Sequence, residues 1–277
     1  MPKESVYDWE NLEIIGRNKE EGHALFRGYN DEKSALERLE SPYCVSLNGE
    51  WRFLYVKGPE VPAGVFAAET DDTGWDRIQV PCVWQLQGYG EPYYYAMSYP
   101  QAIGINPKKV PQISHGLQEI GIYRRTFSQP DCFTGQEVFL CFGAAKAALA
   151  VYINGKEVGY SQGSMTPHEF RVTEFLQAGE NQLTAIVWRY SDGTYLEDQD
   201  MWFFSGLYRD VFLYAEPKAC IRDFYLRADL DESLTKASLN LMIRLNQYGE
   251  NAAVRVRASI PALGLTVGEG STVLCGE

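Results

Sequence analysis

Histidine is scarce in this sequence, with three in 277 residues, and none stands in a metal-binding or nucleophile pattern. His23, His115 and His168 sit among polar, loop-like neighbours, so a surface or core role is expected of each. Basic side chains are in deficit: 25 Lys and Arg face 37 Asp and Glu, a formal charge of −12. Phosphate contacts need clustered cations, so neither nucleic acid nor an anionic membrane is expected as a partner. No stretch nears the roughly 20 apolar residues needed to span a bilayer. The opening MPKESVYDWE lacks the apolar segment of a secretory signal, which makes the cytoplasm the expected location. The six cysteines, Cys44, Cys82, Cys132, Cys141, Cys220 and Cys275, form no C-x-x-C pair. They read as reduced packing residues, and zinc is not expected. There is also no G-x-S-x-G, no phosphate-cradling glycine loop, no H-E-x-x-H and no internal repeat.

Aromatic residues are plentiful instead, with 18 Tyr and 6 Trp. They suit the half-buried surface of a sheet, and their apolar faces and polar edges suit sugars. The first 45 residues form a polar arm whose one helical candidate is Asp31 to Glu40, with Pro42 as its stop. After it the punctuation is that of a β protein. Asn48-Gly49 stands beside alternating Trp51, Phe53 and Tyr55, and Asn154-Gly155 lies between two β-branched runs, which predicts a type I′ hairpin. Further strands are expected at Ile122–Phe127, Val138–Phe142, Leu183–Tyr190 and Val211–Tyr214, with long ordered loops between Tyr89 and Gly121. Many short strands with frequent turns predict an all-β jelly-roll sandwich over 46–216, and parallel α/β is disfavoured. Beyond Pro217, Ile221–Ala228, Ala237–Leu245 and Ala253–Ile260 alternate apolar and polar residues. Three or four strands fit in 217–277, fewer than the roughly seven of an immunoglobulin-like sandwich, so an incomplete second domain is expected.

One acidic stretch is dense: Asp192-Gly-Thr-Tyr-Leu-Glu197-Asp198-Gln-Asp200-Met-Trp202. Its carboxylates either meet sugar hydroxyls or a hard cation, or cap the backbone of a solvated turn. Pattern alone favours the turn. The offsets are not those of an EF-hand. Nor is a retaining glycosidase pair expected here, because such carboxylates need a rigid cleft and nothing in the chain encodes a barrel.

The ordered series Asp8-Trp-Glu-Asn11, Ser46-Leu-Asn-Gly-Glu-Trp-Arg-Phe53, Val80-Pro-Cys-Val-Trp-Gln85, Gly121-Ile-Tyr-Arg-Arg-Thr-Phe127, Asn154-Gly-Lys-Glu-Val-Gly-Tyr160, Ser191 to Trp202 and Ser205-Gly-Leu-Tyr-Arg-Asp-Val211 resembles the sugar-binding jelly-roll domain of glycoside hydrolase family 2. The run through Met201-Trp202 is similar to the β-galactosidase branch. The resemblance implies a retaining enzyme for β-galactosides such as lactose, working as a homo-oligomer. A following barrel would carry both catalytic glutamates, leaving no catalytic residue in this chain. It also implies sodium and magnesium ions, with the magnesium ligands elsewhere. Asp200 is the residue it assigns to the chain, touching a sugar hydroxyl and helping to ligate sodium. Asp192, Glu197 and Asp198 keep structural roles. A substrate-contacting Asn of the family is replaced here by Ala96, which cannot form an amide's hydrogen bonds. Trp84, Trp188 and Trp202 are expected to pack in the core rather than stack on sugar. The alternatives are a free-standing carbohydrate-binding protein and another family 2 specificity.

Overall fold

A computed structural model of the chain describes residues 7–94, 110–197 and 199–276. It divides into two compact units: residues 1–21, 44–132 and 138–214 form the first, and 22–43, 133–137 and 215–277 the second. The first unit holds a seven-stranded antiparallel sheet in the order Gly16–Arg17, Lys156–Gln162, Ala148–Ile153, Glu180–Trp188, Glu119–Ser128, Gly49–Lys57 and Asp76–Val80. A four-stranded sheet follows the order His168–Arg171, Glu137–Phe142, Val211–Glu216 and Cys44–Ser46.

The period of two decides which side chains face what. On one face of the larger sheet, Ile120, Ile122, Ala148, Ala150, Tyr160, Ile186 and Trp188 are buried under Trp9, Val65 and Ile113. The opposite face meets the smaller sheet. There Ser161 lies against His168, and a Cβ added at Gly159 would come within 2.8 Å of Phe170. Central strands are therefore covered on both sides, which is why Ala148–Ile153 and Glu137–Phe142 are nearly all buried rather than alternating.

The Asn154-Gly155 hairpin forms as expected, with both residues at positive φ (53° and 78°). The Asn154 amide locks it by donating to the Phe175 carbonyl and to Asn181. Asn48-Gly49 does a different job. It carries the chain from Cys44–Ser46 in the smaller sheet to Gly49–Lys57 in the larger, with Asn48 Oδ1 accepting from the Val211 N–H at 2.9 Å.

The predicted strands all form. Those after residue 217 are Ala219–Leu230 paired with Ala237–Gln247, and Ala252–Ile260 paired with Leu265–Leu274. Several expectations need correction. The helix is shorter than Asp31 to Glu40: it spans Glu32–Leu36, capped by Asp31, and ends where Arg38 turns to φ 53°, before Pro42 matters. His168 is no loop residue but a fully buried strand residue in the sandwich interior. Cys132 and Cys275 are exposed rather than packed, while Cys141 is buried. No helix among the described residues is long and apolar enough to cross a membrane.

Candidate functional site

Asp200 is exposed, just past a short helix at Thr194–Glu197. Two chain segments meet there. Tyr94 and Trp202 form an antiparallel bridge, and the Phe203 N–H donates to the Tyr93 carbonyl at 2.8 Å. The bridge puts the Tyr94 hydroxyl 2.5 Å from Asp200 Oδ1, a charge-assisted bond. That bond raises the Tyr94 hydroxyl above the ordinary tyrosine range, because losing its proton would put two anions in contact. Asp200 Oδ2 accepts no hydrogen bond among the described residues.

Aromatic rings flank the carboxylate. Trp202 is 50% exposed, its ring stacked on Phe204 at 5.6 Å and tilted against Tyr94 at 5.5 Å. The core role expected for Trp202 is thus wrong: pairing with Tyr94 turns the 200–204 segment so that Phe203, not Trp202, faces inward. Trp84 and Trp188 are buried as expected. Beneath the loop, the largely buried Lys146 ammonium lies 3.7 Å from Met201 Sδ and 5.9 Å from the Phe203 ring centre. Its charge favours carboxylates in that loop. The platform's second wall, Tyr93-Tyr94, carried no separate sequence signal beyond a tyrosine-rich loop, since the pairing spans more than 100 residues. Ala96 and Asp198 lie outside the described residues.

The structural roles expected of Asp192 and Glu197 take specific forms. Glu197 accepts hydrogen bonds from the Ser164 N–H at 2.6 Å and from the Ser164 hydroxyl. Asp192 is buried, and its N–H donates to the Trp9 carbonyl. Burial pushes its carboxyl up to about 6, against the opposing pull of the neighbouring Gln162 side chain. Asp192 Oδ2 and Gln162 Oε1 are both buried without a donor. Gln162 also lines a cavity of about 460 Å³ with Asn18, Lys19 and Gly193. No three His, Cys, Asp or Glu side chains cluster as a metal cage among the described residues.

His115 Nε2 lies 3.0 Å from both carboxylate oxygens of Glu10, which also accepts from the Ile113 N–H at 2.6 Å. This pair ties the arm to the segment after residue 110 and touches none of the platform residues. His23 Nδ1 lies 2.9 Å from the Ala24 carbonyl, within the second unit.

A family model described as glycosyl hydrolases family 2, sugar binding domain, matches residues 44–217. A β-galactosidase of Psychromonas ingrahamii is 38% identical over 251 residues, covering 90% of this chain and 24% of that protein. One from Vibrio cholerae is 38% identical over 272 residues, covering 98% and 26%. The chain thus spans about a quarter of the length of these curated relatives. Among solved structures, a Bacteroides uniformis β-glucuronidase aligns with a TM-score of 0.61 at 24% identity, over 84% of this chain and 26% of its own. A Bifidobacterium dentium β-glucuronidase aligns at 0.57 and 20% identity, over 90% and 41%. At those identities the structural likeness speaks for the β-sandwich fold.

Proposed function

The chain belongs to family 2 of the glycosyl hydrolases, and from that premise we propose that it forms the sugar-binding end of a β-galactosidase, with Asp200 at a galactosyl hydroxyl. The observation that carries this reading is the half-satisfied Asp200 carboxylate beside the exposed Tyr94 and Trp202 rings. Asp200 Oδ2 accepts from a sugar hydroxyl, Tyr94 fixes the carboxylate's orientation, and the Trp202 face covers the apolar C–H side of the ring. A neutral sugar suits this corner better than a uronate, whose carboxylate would be repelled by Asp200. The name carried by the curated relatives supports the same choice.

Hydrolysis of terminal β-galactosides such as lactose, with retention, needs two carboxyl groups about 5–5.5 Å apart. In this proposal both come from further domains, and the chain alone turns over nothing. Asp200 also gives sodium one oxygen, the remaining ligands lying outside this chain. Magnesium is held by ligands outside this chain. A homo-oligomer in the cytoplasm completes the reading.

The test is Asp200→Ala in the protein with everything its gene encodes. A hydrogen bond to a charged group contributes about 1.5–3 kcal/mol, so kcat/KM for a chromogenic β-galactoside should fall about ten- to a hundredfold. Unchanged activity and sodium response in a folded variant would remove Asp200 from the pocket. Tight galactoside binding by the 277-residue chain alone would favour a free-standing carbohydrate-binding protein.

A further inference from the structure

The two segments that build the Asp200 corner are held by one side chain that no motif singled out. Arg189 follows directly after the strand Glu180–Trp188, and its N–H donates to the Glu119 carbonyl at 2.9 Å. Its guanidinium is about 1% exposed. One nitrogen, Nη1, is anchored on Glu119 Oε2 at 2.6 Å. The other, Nη2, donates both to the Glu91 carbonyl at 2.7 Å and to the Phe203 carbonyl at 3.2 Å. Glu91 is three residues before Tyr94, and Phe203 three residues after Asp200. A single nitrogen therefore bridges the backbones of both walls.

The surroundings leave this bridge little play. The guanidinium carbon lies 5.1 Å from the Tyr93 ring centre and 5.4 Å from that of Tyr190. A Cβ added at Gly90 would meet Glu119 Oε2 at 2.6 Å and Arg189 Nη1 at 3.3 Å, so the 90–94 segment lies directly on the ion pair. A planar fork with five donors can serve a carboxylate and two carbonyls at once, and a lysine ammonium on a flexible stem cannot hold the same spacing.

We infer that Arg189 is the positioning residue for the sugar corner, setting the distance between the Tyr94 hydroxyl and Asp200 through the carbonyls of Glu91 and Phe203. The kinetic part of this inference rests on the proposed role of Asp200, while the geometric part does not. Two readouts therefore separate them. The first is the hydrogen bond from the Tyr94 hydroxyl to Asp200, followed at neutral pH on the 277-residue chain through the Tyr94 ¹³Cζ NMR signal and assigned with Tyr94→Phe. In the native chain the Tyr94 hydroxyl lies 2.5 Å from Asp200 Oδ1, and Arg189→Lys should loosen that bond and move the Tyr94 signal toward that of a free tyrosine. Asp200→Asn should do the same. The second readout is kcat/KM in the protein with everything its gene encodes. Arg189→Lys should lower it about tenfold, yet add less than about twofold on an Asp200→Asn background, because both act through one carboxylate.

Movement of Tyr94 together with the non-additive kinetic loss supports the whole inference. Movement of Tyr94 with unchanged kinetics supports the positioning role and overturns the role of Asp200 in the sugar pocket. A folded Arg189→Lys chain in which the Tyr94 signal keeps its native position overturns the positioning role. If Arg189→Lys does not fold, Glu119→Gln removes the anchoring charge while leaving Arg189 in place. The same shift of Tyr94 in smaller measure is then expected, and no shift would overturn the inference.

Discussion

Gly121 opens the motif Gly121-Ile-Tyr-Arg-Arg, and its missing side chain can be tested. In the strand Glu119–Ser128 it pairs with Tyr55 on one side and Val187 on the other, in ordinary extended backbone. A Cβ there would lie 2.6 Å from Cζ3 and 2.7 Å from Cε3 of Trp84, and 2.9 Å from Cε2 of Phe53. Both rings are fully buried and cannot swing away. Overpacking of this kind costs about 1–3 kcal/mol, offset by about 0.4–1 kcal/mol because alanine restrains the unfolded chain more than glycine. Gly121→Ala should therefore lose about 1–2 kcal/mol. With a urea m-value of about 1–3 kcal/mol/M, the midpoint falls by roughly 0.3–2 M. Gly74 is the control: it is exposed, and a Cβ there meets nothing within 4 Å. Gly74→Ala should leave the midpoint unchanged or slightly raised. Tryptophan fluorescence during urea unfolding reads both variants. If Trp84 is the obstacle, Trp84→Leu should make Gly121→Ala less costly than in the native chain. A Gly121→Ala midpoint equal to that of Gly74→Ala would refute the reasoning.

Two further outcomes follow from buried ionisable groups. Burial lowers the His168 imidazole to about 3, whereas in the unfolded chain it titrates near 6.5. The unfolded state thus binds the proton first: the stability that His168 contributes is complete above about 6.5 and is lost as pH falls toward 3. His168→Gln should remove one proton from the slope of unfolding free energy against pH in that window, and an unchanged slope would exclude the assignment. Asp192 has the opposite sense: its carboxyl, raised to about 6, stabilises most at low pH, and that contribution is lost as pH rises through about 6. Asp192→Asn should therefore make the melting temperature less sensitive to pH between about 5 and 7.5, and an unchanged sensitivity would exclude the burial cost.

The sequence made the strands and the Asn154-Gly155 turn readable because their signals are local. β-branched alternation and a pair tolerant of positive φ need no knowledge of distant chain. The helix overran for a related reason. Glu37 to Glu40 are good helix formers by propensity, but Arg38 leaves the helical region and Asp31 caps only a short turn. The core alternative holds for His168, but its surroundings were misjudged: Thr166, Pro167 and Glu169 look like loop, whereas Glu169 is itself buried in a strand. Two of the six cysteines escaped the packing rule because exposure is set by where a turn falls, as at Cys132, and not by residue type.

The sugar corner was half legible, and the division follows chain separation. Asp200 could be singled out through a resemblance carried by contiguous residues. Trp202 was assigned to the core because one residue of offset within a loop decides which ring faces inward, and periodicity is silent there. What turns Trp202 outward is its pairing with Tyr94, and what sustains that pairing is a guanidinium from a third segment reaching two carbonyls. Backbone carbonyls carry no residue identity, so neither Glu91 nor Phe203 marks itself as a partner. Arg189 reads only as a charged residue after a strand. A carboxylate can be singled out from sequence when its neighbours are distinctive. The residue that holds it in place through main-chain oxygens becomes visible only once the strands are paired and the buried charge has to be accounted for.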